Sequence, residues 1–507
     1  YNYGRTFNGA GEPFGDLITG SRVADTTGGR QSLDDNSIAF NNTYINPGLN
    51  LVNETRVLYS RRNQTIDPID NRGPQVNLVA PEGLVVFGTG TLLPQPRLQN
   101  LFQVLNNVSL SRGRNQIKFG VDYSRDSIGE DGLVPVFNNG FAFFPQLDLR
   151  PNGGPFFTGL QAFDPSRRTP EQRAFLTFLS AALPATIPGF PQLPLADIGI
   201  PAAFAQGFVN NDMVGGVTRN TFAAFFQDDI KINEQLLLKL GVRYDRSTID
   251  VLDSNNGNIS PRISFSYRPK KFSRANIHGA YGLFFAAPIY GGAFVANESM
   301  SGALKILLLQ FPLSLPFYAL PDKRLPISST LPPGVNLIPQ LSLEFVNQRN
   351  PRASYTQQAN FGVDYFIGNN MVFSTSYTLV RGLKILSQRN INPIVRPIPG
   401  DPTNSAIMGR IDATRGDIFE FTNAYDSYYN AFTVAFNRRL SQRIGFLSSY
   451  TFAKSIDNFI DIRNELQQSN DPTNPRGERG LSLQDVRSRF VFSGTWDLSY
   501  TNNPFLR

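Results

Sequence analysis

His278 is the only histidine among the 507 residues, and there is no cysteine, so few side chains could do covalent chemistry. The lack of Cys excludes disulfides, thiolate metal sites and cysteine nucleophiles, and a single His excludes clusters of His metal ligands. As a general base, His278 would need a serine and an acid from other strands within hydrogen-bond reach. We predict instead a polar histidine that faces water, with no catalytic residue, metal ion or cofactor. A hydrolase built on His278 stays as a remote alternative.

Two aspartate-containing loops, 67–73 and 457–461, are the only segments that suggest Ca²⁺ binding. Neither has the ligand spacing of an EF-hand loop. We therefore expect solvated loop carboxylates at both places.

The charge balance is basic but weakly so, with 47 Lys+Arg against 40 Asp+Glu and a net charge of +7. The basic residues are scattered along the chain, and a small excess over 507 residues is poor evidence for a nucleic-acid surface. Aromatic side chains alternate with the charged ones and so fall on the opposite strand face, which does not favour a base-stacking platform. We predict no nucleic-acid partner.

Alternation of apolar and polar residues is the dominant pattern and predicts long β-strands. In 236–245 the even positions are apolar and the odd positions are mainly polar, so one strand face is oily and the other is hydrophilic. Most segments have 11 to 14 residues, whereas a tilted strand crosses a bilayer in about 9–11. Twelve such strands are predicted, at 51–61, 98–110, 114–125, 221–232, 236–246, 258–268, 273–285, 354–366, 371–382, 426–439, 443–454 and 488–500.

The connections between these strands alternate between tight turns and long loops. In an up-and-down sheet, all the tight turns then lie at one end and all the long loops at the other, as in outer-membrane barrels. The predicted fold is therefore all-β, with long antiparallel strands that form part of a transmembrane β-barrel. The long loops are 62–97, 126–220, 247–257, 286–353, 383–425 and 455–487. Loop 126–220 contains a predicted helix, with Thr169 as N-cap, Gln172 completing a capping box and Pro184 ending it.

A barrel in lipid turns its apolar face outward and its polar face toward an aqueous lumen. The basic side chains of the polar face could attract an anionic solute, but pairing with Asp122, Asp228, Asp245 and Asp364 is the favoured interpretation. The candidate lumen-facing polar residues are Lys118, Asp122, Arg243, Asp245, Arg262 and His278. The candidate aromatic girdle consists of Tyr123, Tyr244, Tyr267, Tyr365, Tyr377 and Tyr450, with Phe222, Phe225, Phe284 and Phe366 among other strand-end rings.

The rival interpretation is a secreted or surface-attached all-β binding or adhesion protein built from sandwiches. There the apolar faces would pack together inside, and periodicity alone does not tell inside from outside. Strand length and the one-sided loop lengths favour the barrel.

Several segments resemble the Oar-like TonB-dependent outer-membrane receptors. Segment 221–232, TFAAFFQDDIKI, is similar to the family's "aFFQDdwki" strand, and 236–245, LLLKLGVRYD, is similar to "LTLnyGlRYd". Segments 450–457 and 485–494 resemble later strands, although Ser488 stands where a His is expected. The resemblance covers roughly residues 50–500 and carries no catalytic residues.

The resemblance implies energy-coupled uptake through a 22-stranded barrel with a plug, in the outer membrane of a Gram-negative bacterium. Solute would be captured by the long loops, above all 126–220 and 286–353, and the expected partners are outer-membrane lipid, an unknown solute and the TonB protein. TonB would act through a plug, and the chain shows neither a plug nor a signal peptide. We therefore expect residues 1–507 to be a partial barrel domain that supplies about half the wall. Peptides, glycans and metal chelates are equally compatible solutes.

Overall fold

The computed structural model describes most of the chain, and everything below refers to those residues. They are residues 2–8, 22–91, 93–129, 139–187, 189–209, 216–250, 252, 257–287, 304–320, 322–323, 342–349, 351–393, 410–441, 443–458, 471 and 474–497. Predicted features that fall on 459–461 lie outside this set.

The described residues form 24 strands and three α-helices. The first twelve strands are β1 Asn2–Asn8, β2 Arg22–Val23, β3 Gly29–Asn46, β4 Leu51–Pro68, β5 Gln75–Ala80, β6 Gly83–Phe87, β7 Gln95–Arg112, β8 Asn115–Ile128, β9 Phe141–Phe144, β10 Leu147–Asp148, β11 Phe156–Phe157 and β12 Ala203–Val209. The others are β13 Val217–Lys231, β14 Leu236–Ile249, β15 Asn258–Tyr267, β16 Ala275–Phe285, β17 Leu304–Gln310, β18 Ser342–Asn347, β19 Tyr355–Ile367, β20 Met371–Asn390, β21 Asp417–Ser441, β22 Ile444–Asp457, β23 Gly480–Leu481 and β24 Ser488–Trp496.

The helices are α1 Gly159–Phe163, α2 Pro170–Thr186 and α3 Leu315–Tyr318. Short 3₁₀ turns lie at Asp25–Thr27, Pro47–Leu49, Arg150–Asn152, Pro165–Arg167, Lys270–Phe272 and Pro475–Glu478. None of the described helices has both the length and the apolar character needed to cross a bilayer.

Fourteen of the strands form a continuous antiparallel wall, in the order β1-β3-β4-β7-β8-β13-β14-β15-β16-β19-β20-β21-β22-β24. Each wall strand pairs with the wall strands that come before and after it in the chain. The shorter strands in the long connections are not part of this order. This is the up-and-down arrangement predicted from the alternation. Strand β4 has 18 residues, so at about 3.4 Å per residue its length is roughly 60 Å.

The wall has two strands more than the twelve predicted. They are β1 and β3, which both lie before the first predicted strand at 51–61. Strand β3 was missed since its first half, GRQSLDDNS, carries polar residues on both faces and shows no alternation. The tight turn after it uses Pro47 in a 3₁₀ turn and Asn50 in the left-handed region, with φ 49°. Asn46 caps that turn by accepting a bond from the Leu49 amide.

The large apolar side chains of the wall point outward and are exposed rather than packed in a dry interior. Ile38 is 61% exposed, Phe361 54% and Phe452 52%. A sandwich would bury these rings between two sheets, so the sandwich alternative is wrong. The chain has instead the faces of a barrel wall, with an apolar outer face and a polar inner face.

The long connections fold together at one end into a second layer, which we call the external layer. It consists of β2, β5, β6, β9, β12, β17 and β18 with the three helices. Its strands pair in the order β2-β6-β5-β9-β12-β17-β18, and β18 then pairs with the first part of β21. Predicted loops 62–97, 126–220 and 286–353 therefore contribute strands to one sheet.

A bulge in β20 marks the place where the wall continues into the external layer. The register of the β20–β21 pair shifts between Gly382 and Ile385, and Lys384 has φ 54°. The Lys384 carbonyl accepts bonds from Ser354 and Asn423, at 2.7 and 2.9 Å. These bonds stabilise the change in direction, so predicted loop 383–425 begins and ends with strand.

The external layer contains the hydrophobic core of the described residues. The rings of Phe144, Phe157 and Phe204 are fully buried. Phe144 makes edge-to-face contacts with Phe163 and Tyr318, whose ring centroids are 5.3 and 5.2 Å away. Such pairs add to the free energy gained by burial. The core therefore joins three loops that are distant in sequence.

Helix α2 confirms the capping box predicted at Thr169. The Gln172 amide donates to the Thr169 hydroxyl, and the Thr169 amide donates to the Gln172 side chain. The predicted end at Pro184 is wrong, because the helix continues to Thr186. In the last turn, proline removes a single backbone bond, and the Ile187 amide still bonds to Leu183 at 2.8 Å.

Arg168 holds two segments of predicted loop 126–220 together inside the external layer. Its side chain is 5% exposed, and burial, with repulsion from Arg173, lowers the pKa of Arg168 to about 10. The guanidinium is therefore still charged at neutral pH. It donates to five backbone carbonyls, those of Gln161, Ala162, Leu195, Ala196 and Ile198, at 2.6 to 3.1 Å.

Replacing Arg168 with Met should loosen the external layer while leaving the wall in place. The substitution leaves buried carbonyls without donors, which we expect to cost about 3–5 kcal/mol. Hydrogen–deuterium exchange should show faster exchange in α1, α2 and residues 195–200. The matched control is Arg167→Met, because Arg167 is an exposed neighbour whose ion pair with Asp164 should contribute less than about 1 kcal/mol. Equal exchange in the two variants would contradict this role.

Candidate functional site: the inner face of the wall

All six candidate polar residues lie on the inner face of the wall. Directly paired residues of antiparallel strands project to the same side. Asp122 pairs with Ala223, which pairs with Asp245, and Arg262 pairs with Gly241 and Gly282. The same reasoning places Lys118, Arg243 and His278 on this face, opposite the exposed rings.

The inner face is a hydrogen-bonded network in which some, but not all, of its charges are paired. Arg243 binds Asp245 at 2.8 Å, and Lys239 binds Asp229 at 2.9 Å. Asp122 accepts a bond from the amide of Gln103 at 3.0 Å. The network therefore contains polar amides as well as ion pairs.

Asp228 does not belong to this network, contrary to the sequence prediction. It alternates with the inner residues and shares the outer face with Phe226. It lies near the tight-turn end, where Asn115 donates to its carboxylate at 2.5 Å. Its place close to a turn explains how a carboxylate is tolerated on the apolar face.

His278 lies beside an acid but lacks the geometry of a catalytic base. Its Nδ1 lies 3.4 Å from the Asp364 carboxylate. Ser374 donates its hydroxyl to the other oxygen of Asp364 at 2.7 Å. In a catalytic triad the serine hydroxyl bonds to the histidine nitrogen that does not face the acid. Here the serine and the histidine both lie against the acid instead. The arrangement is that of a polar inner wall.

A groove of about 550 Å³ runs along the inner face where β13 to β16, β19 and β20 meet. Its floor includes Gly241 and Gly282, which lie on either side of Arg262. The Arg262 guanidinium lies over the ring of Phe284, 4.5 Å from its centroid. Side chains around the groove include Phe225, Gln227, Lys239, Arg243, Ser264, Gln358, Asn360 and Thr378.

The sequence prediction missed part of this groove because it assigned every strand-end ring to the girdle. Phe225 pairs with Arg243, and Phe284 falls opposite Thr356, so both rings are on the inner face. Phe366 also lies inside, beneath the guanidinium of Arg268. Each of these rings is an odd number of residues from the outward-facing residues of its own strand. That spacing could have placed it on the inner face.

The six candidate girdle tyrosines all lie on the outer face. Tyr267 and Tyr365 are next to the tight-turn end, and Tyr123, Tyr244, Tyr377 and Tyr450 lie further up the wall. Three of the upper hydroxyls bond to a polar residue of the adjacent strand, Asn220, Asn430 or Ser488, at 2.9 to 3.1 Å. Each of these tyrosines is directly opposite a phenylalanine, Phe222, Phe432 or Phe490. Such a polar tip on an apolar ring is typical of a membrane interface.

No group of three or more His, Asp or Glu residues in the described ranges is arranged to hold a metal ion. In loop 67–73 the Asp70 carboxylate pairs with Arg72, its neighbour two residues on, at 3.0 Å.

The wall, its two chemically distinct faces and its one-sided loops define the class of outer-membrane β-barrel proteins. The sequence matches the family described as outer membrane beta barrel domain over residues 1–251 and 247–507. The chain belongs to this family, and its location is the outer membrane of a Gram-negative bacterium. Among the curated proteins none matches the sequence.

Solved structures with a similar fold include three outer-membrane transporters. They are YddB from Escherichia coli (12% identity, 87% of this chain and 48% of that chain, TM-score 0.44), FrpB, an iron transporter from Neisseria meningitidis (9%, 85% and 45%, 0.42), and a mutant of the ferric enterobactin receptor PfeA from Pseudomonas aeruginosa (10%, 85% and 47%, 0.44). The chain spans about half the length of these structures.

Glycine should be required at position 362, because a side chain there would collide with His278. A Cβ at Gly362 would lie 2.5 Å from the His278 Nε2 and 2.9 Å from the Thr375 carbonyl oxygen. We expect Gly362→Ala to lower the free energy of unfolding by about 1–3 kcal/mol, measured by urea titration in phospholipid vesicles. Gly241→Ala is the matched control, because the nearest atom to its Cβ is 3.5 Å away. In a His278→Ala background the cost should fall, and an unchanged cost would exclude the histidine as its cause.

The two faces should be distinguishable by chemical labelling, because the chain contains no cysteine of its own. Ser264 is on the inner face, and its neighbour Ile263 is on the outer face. In intact membranes, Ser264→Cys should react with a charged methanethiosulfonate reagent and Ile263→Cys should not. A lipid-soluble maleimide should reverse that preference. The opposite pattern with either reagent would contradict the assignment of the faces.

Proposed function

We propose that this chain is the barrel part of a TonB-dependent receptor that takes up a solute across the outer membrane. The external layer binds the solute, and the inner face of the wall forms the polar lining of its path to the periplasm. The energy comes from the TonB protein, which acts on such receptors through a plug. The TonB dependence rests on the resemblance of strands such as 221–232 and 236–245 to Oar-like receptors.

The observation that carries the proposal is the combination of a polar inner face with a folded layer at one end of the wall. An adhesive or purely structural barrel needs no continuous polar network along its inner side. Here ion pairs, amides and hydroxyls follow the inner face from Asp126 near the long-loop end to Asp229 near the tight turns. Such a lining lowers the free-energy cost of moving a polar solute.

The external layer has the properties of a binding platform. It is held by a dry aromatic core and by the buried guanidinium of Arg168. Loops on a rigid scaffold are common positions for binding residues, because the scaffold reduces the entropy lost on binding. We therefore assign solute capture to predicted loops 126–220 and 286–353, which contribute β9, β12, β17 and β18 to this layer.

The proposal includes no covalent step. The single histidine lies beside Asp364, and Ser374 bonds to the same acid. Passage without chemistry agrees with an inner face of ion pairs, amides and hydroxyls.

The test compares uptake in four bacterial strains that carry or lack the natural gene and carry or lack the gene for TonB. Consumption of small compounds from the culture medium is measured by mass spectrometry. We expect at least one compound to be consumed only when both genes are present. Consumption that continues without TonB would overturn energy coupling, and no gene-dependent consumption in any medium would overturn transport.

A further inference from the structure

We propose that Arg262 and the groove around it form a subsite for an anionic group, a carboxylate or a phosphate, on the transported solute. The inference rests on the proposed transport function and adds the chemistry that the wall recognises. Its basis is the charge and geometry of a single stretch of the inner face.

The groove is lined by three cations, Lys239, Arg243 and Arg262, and by no carboxylate. Two of these cations are already neutralised from outside the groove. Lys239 binds Asp229 at 2.9 Å, and Arg243 binds Asp245 at 2.8 Å. Among the described residues Arg262 has no carboxylate oxygen within the 4.0 Å of an ion pair, so its charge is available to a ligand.

Gly282 and Phe284 hold Arg262 in an open position. A Cβ at Gly282 would lie 3.1 Å from the Phe284 ring and 3.3 Å from Arg262 Cγ, so glycine leaves room for the guanidinium to lie over the ring. Stacking on the face of the ring leaves the N–H edge of the guanidinium free to donate. A guanidinium held in this way can bind a carboxylate or phosphate through two parallel bonds.

Neighbouring side chains can complete the contacts of a bound anion. Gln358 lies directly across from Gly282 on β19, and Asn360 lies two residues further along that strand. These two amides beside one exposed cation are suited to a single anionic group.

The probes are citrate, inorganic phosphate and neutral raffinose, each measured by isothermal titration with the protein in liposomes. We expect citrate or phosphate to bind and raffinose not to bind, and the stronger of the two anions identifies the chemistry. Arg262→Gln should weaken that binding at least tenfold. Arg262→Lys, which keeps the charge but loses the two parallel bonds, should give an intermediate loss.

The matched control is Arg268→Gln. Arg268 also lies over a phenylalanine, Phe366, at 5.7 Å, but at the tight-turn end and outside the groove. Its loss should change anion binding less than twofold. Equal losses in the two glutamine variants, unchanged binding in Arg262→Gln, or no anion binding by the unaltered protein would each overturn the subsite.

These outcomes are separable from failure of the transport proposal. Ser264→Cys labelling and heat-modifiable migration in gels report insertion of each variant. Loss of anion binding in a protein that is inserted concerns Arg262 alone. Intact anion binding without TonB-dependent consumption of any compound would overturn the transport proposal and leave the subsite in place.

Discussion

Backbone hydrogen bonding is the constraint on which the rest of this structure depends. In hydrocarbon an unsatisfied peptide group costs several kcal/mol, so a chain crosses lipid only as helices or as laterally paired strands. Every wall strand from β3 to β22 has a neighbour on both sides. Once the backbone is paired in this way, successive side chains must alternate between lipid and water. The exposed Phe361 and the inward His278 are consequences of the same ladder.

A wall with its apolar side chains outside cannot have a dry core of its own, and the protein forms that core elsewhere. The long connections supply it, in a layer where Phe144, Phe157 and Phe204 are fully buried. The two parts therefore follow different rules. The wall is stabilised by its ladder and by lipid, and the external layer is stabilised by packing and by the buried Arg168, as in a water-soluble domain.

The inner face shows how glycine and charge together make a surface that a solute can approach. Gly362 leaves room for His278, and Gly282 leaves room for Arg262 on Phe284. At each position the absent side chain leaves room for a larger polar one. Of the three cations that line the groove, only Arg262 is not in an ion pair within the described ranges.

The sequence by itself determined the wall: the alternation placed twelve of the 14 described wall strands, the side of the tight turns, and the faces of the six polar candidates and the six girdle tyrosines. Alternation works there because a two-residue period leaves each side chain only two directions. It failed at β3, where both faces of the first half are polar, and it misplaced Phe225 and Phe284 because ring type does not reveal register. Only the tertiary structure decided the external layer and the groove. The contact of Phe144 with Tyr318 joins residues far apart in the chain, as does the lining of the groove, which includes both Arg262 and Gln358. No local period records which distant segments will meet.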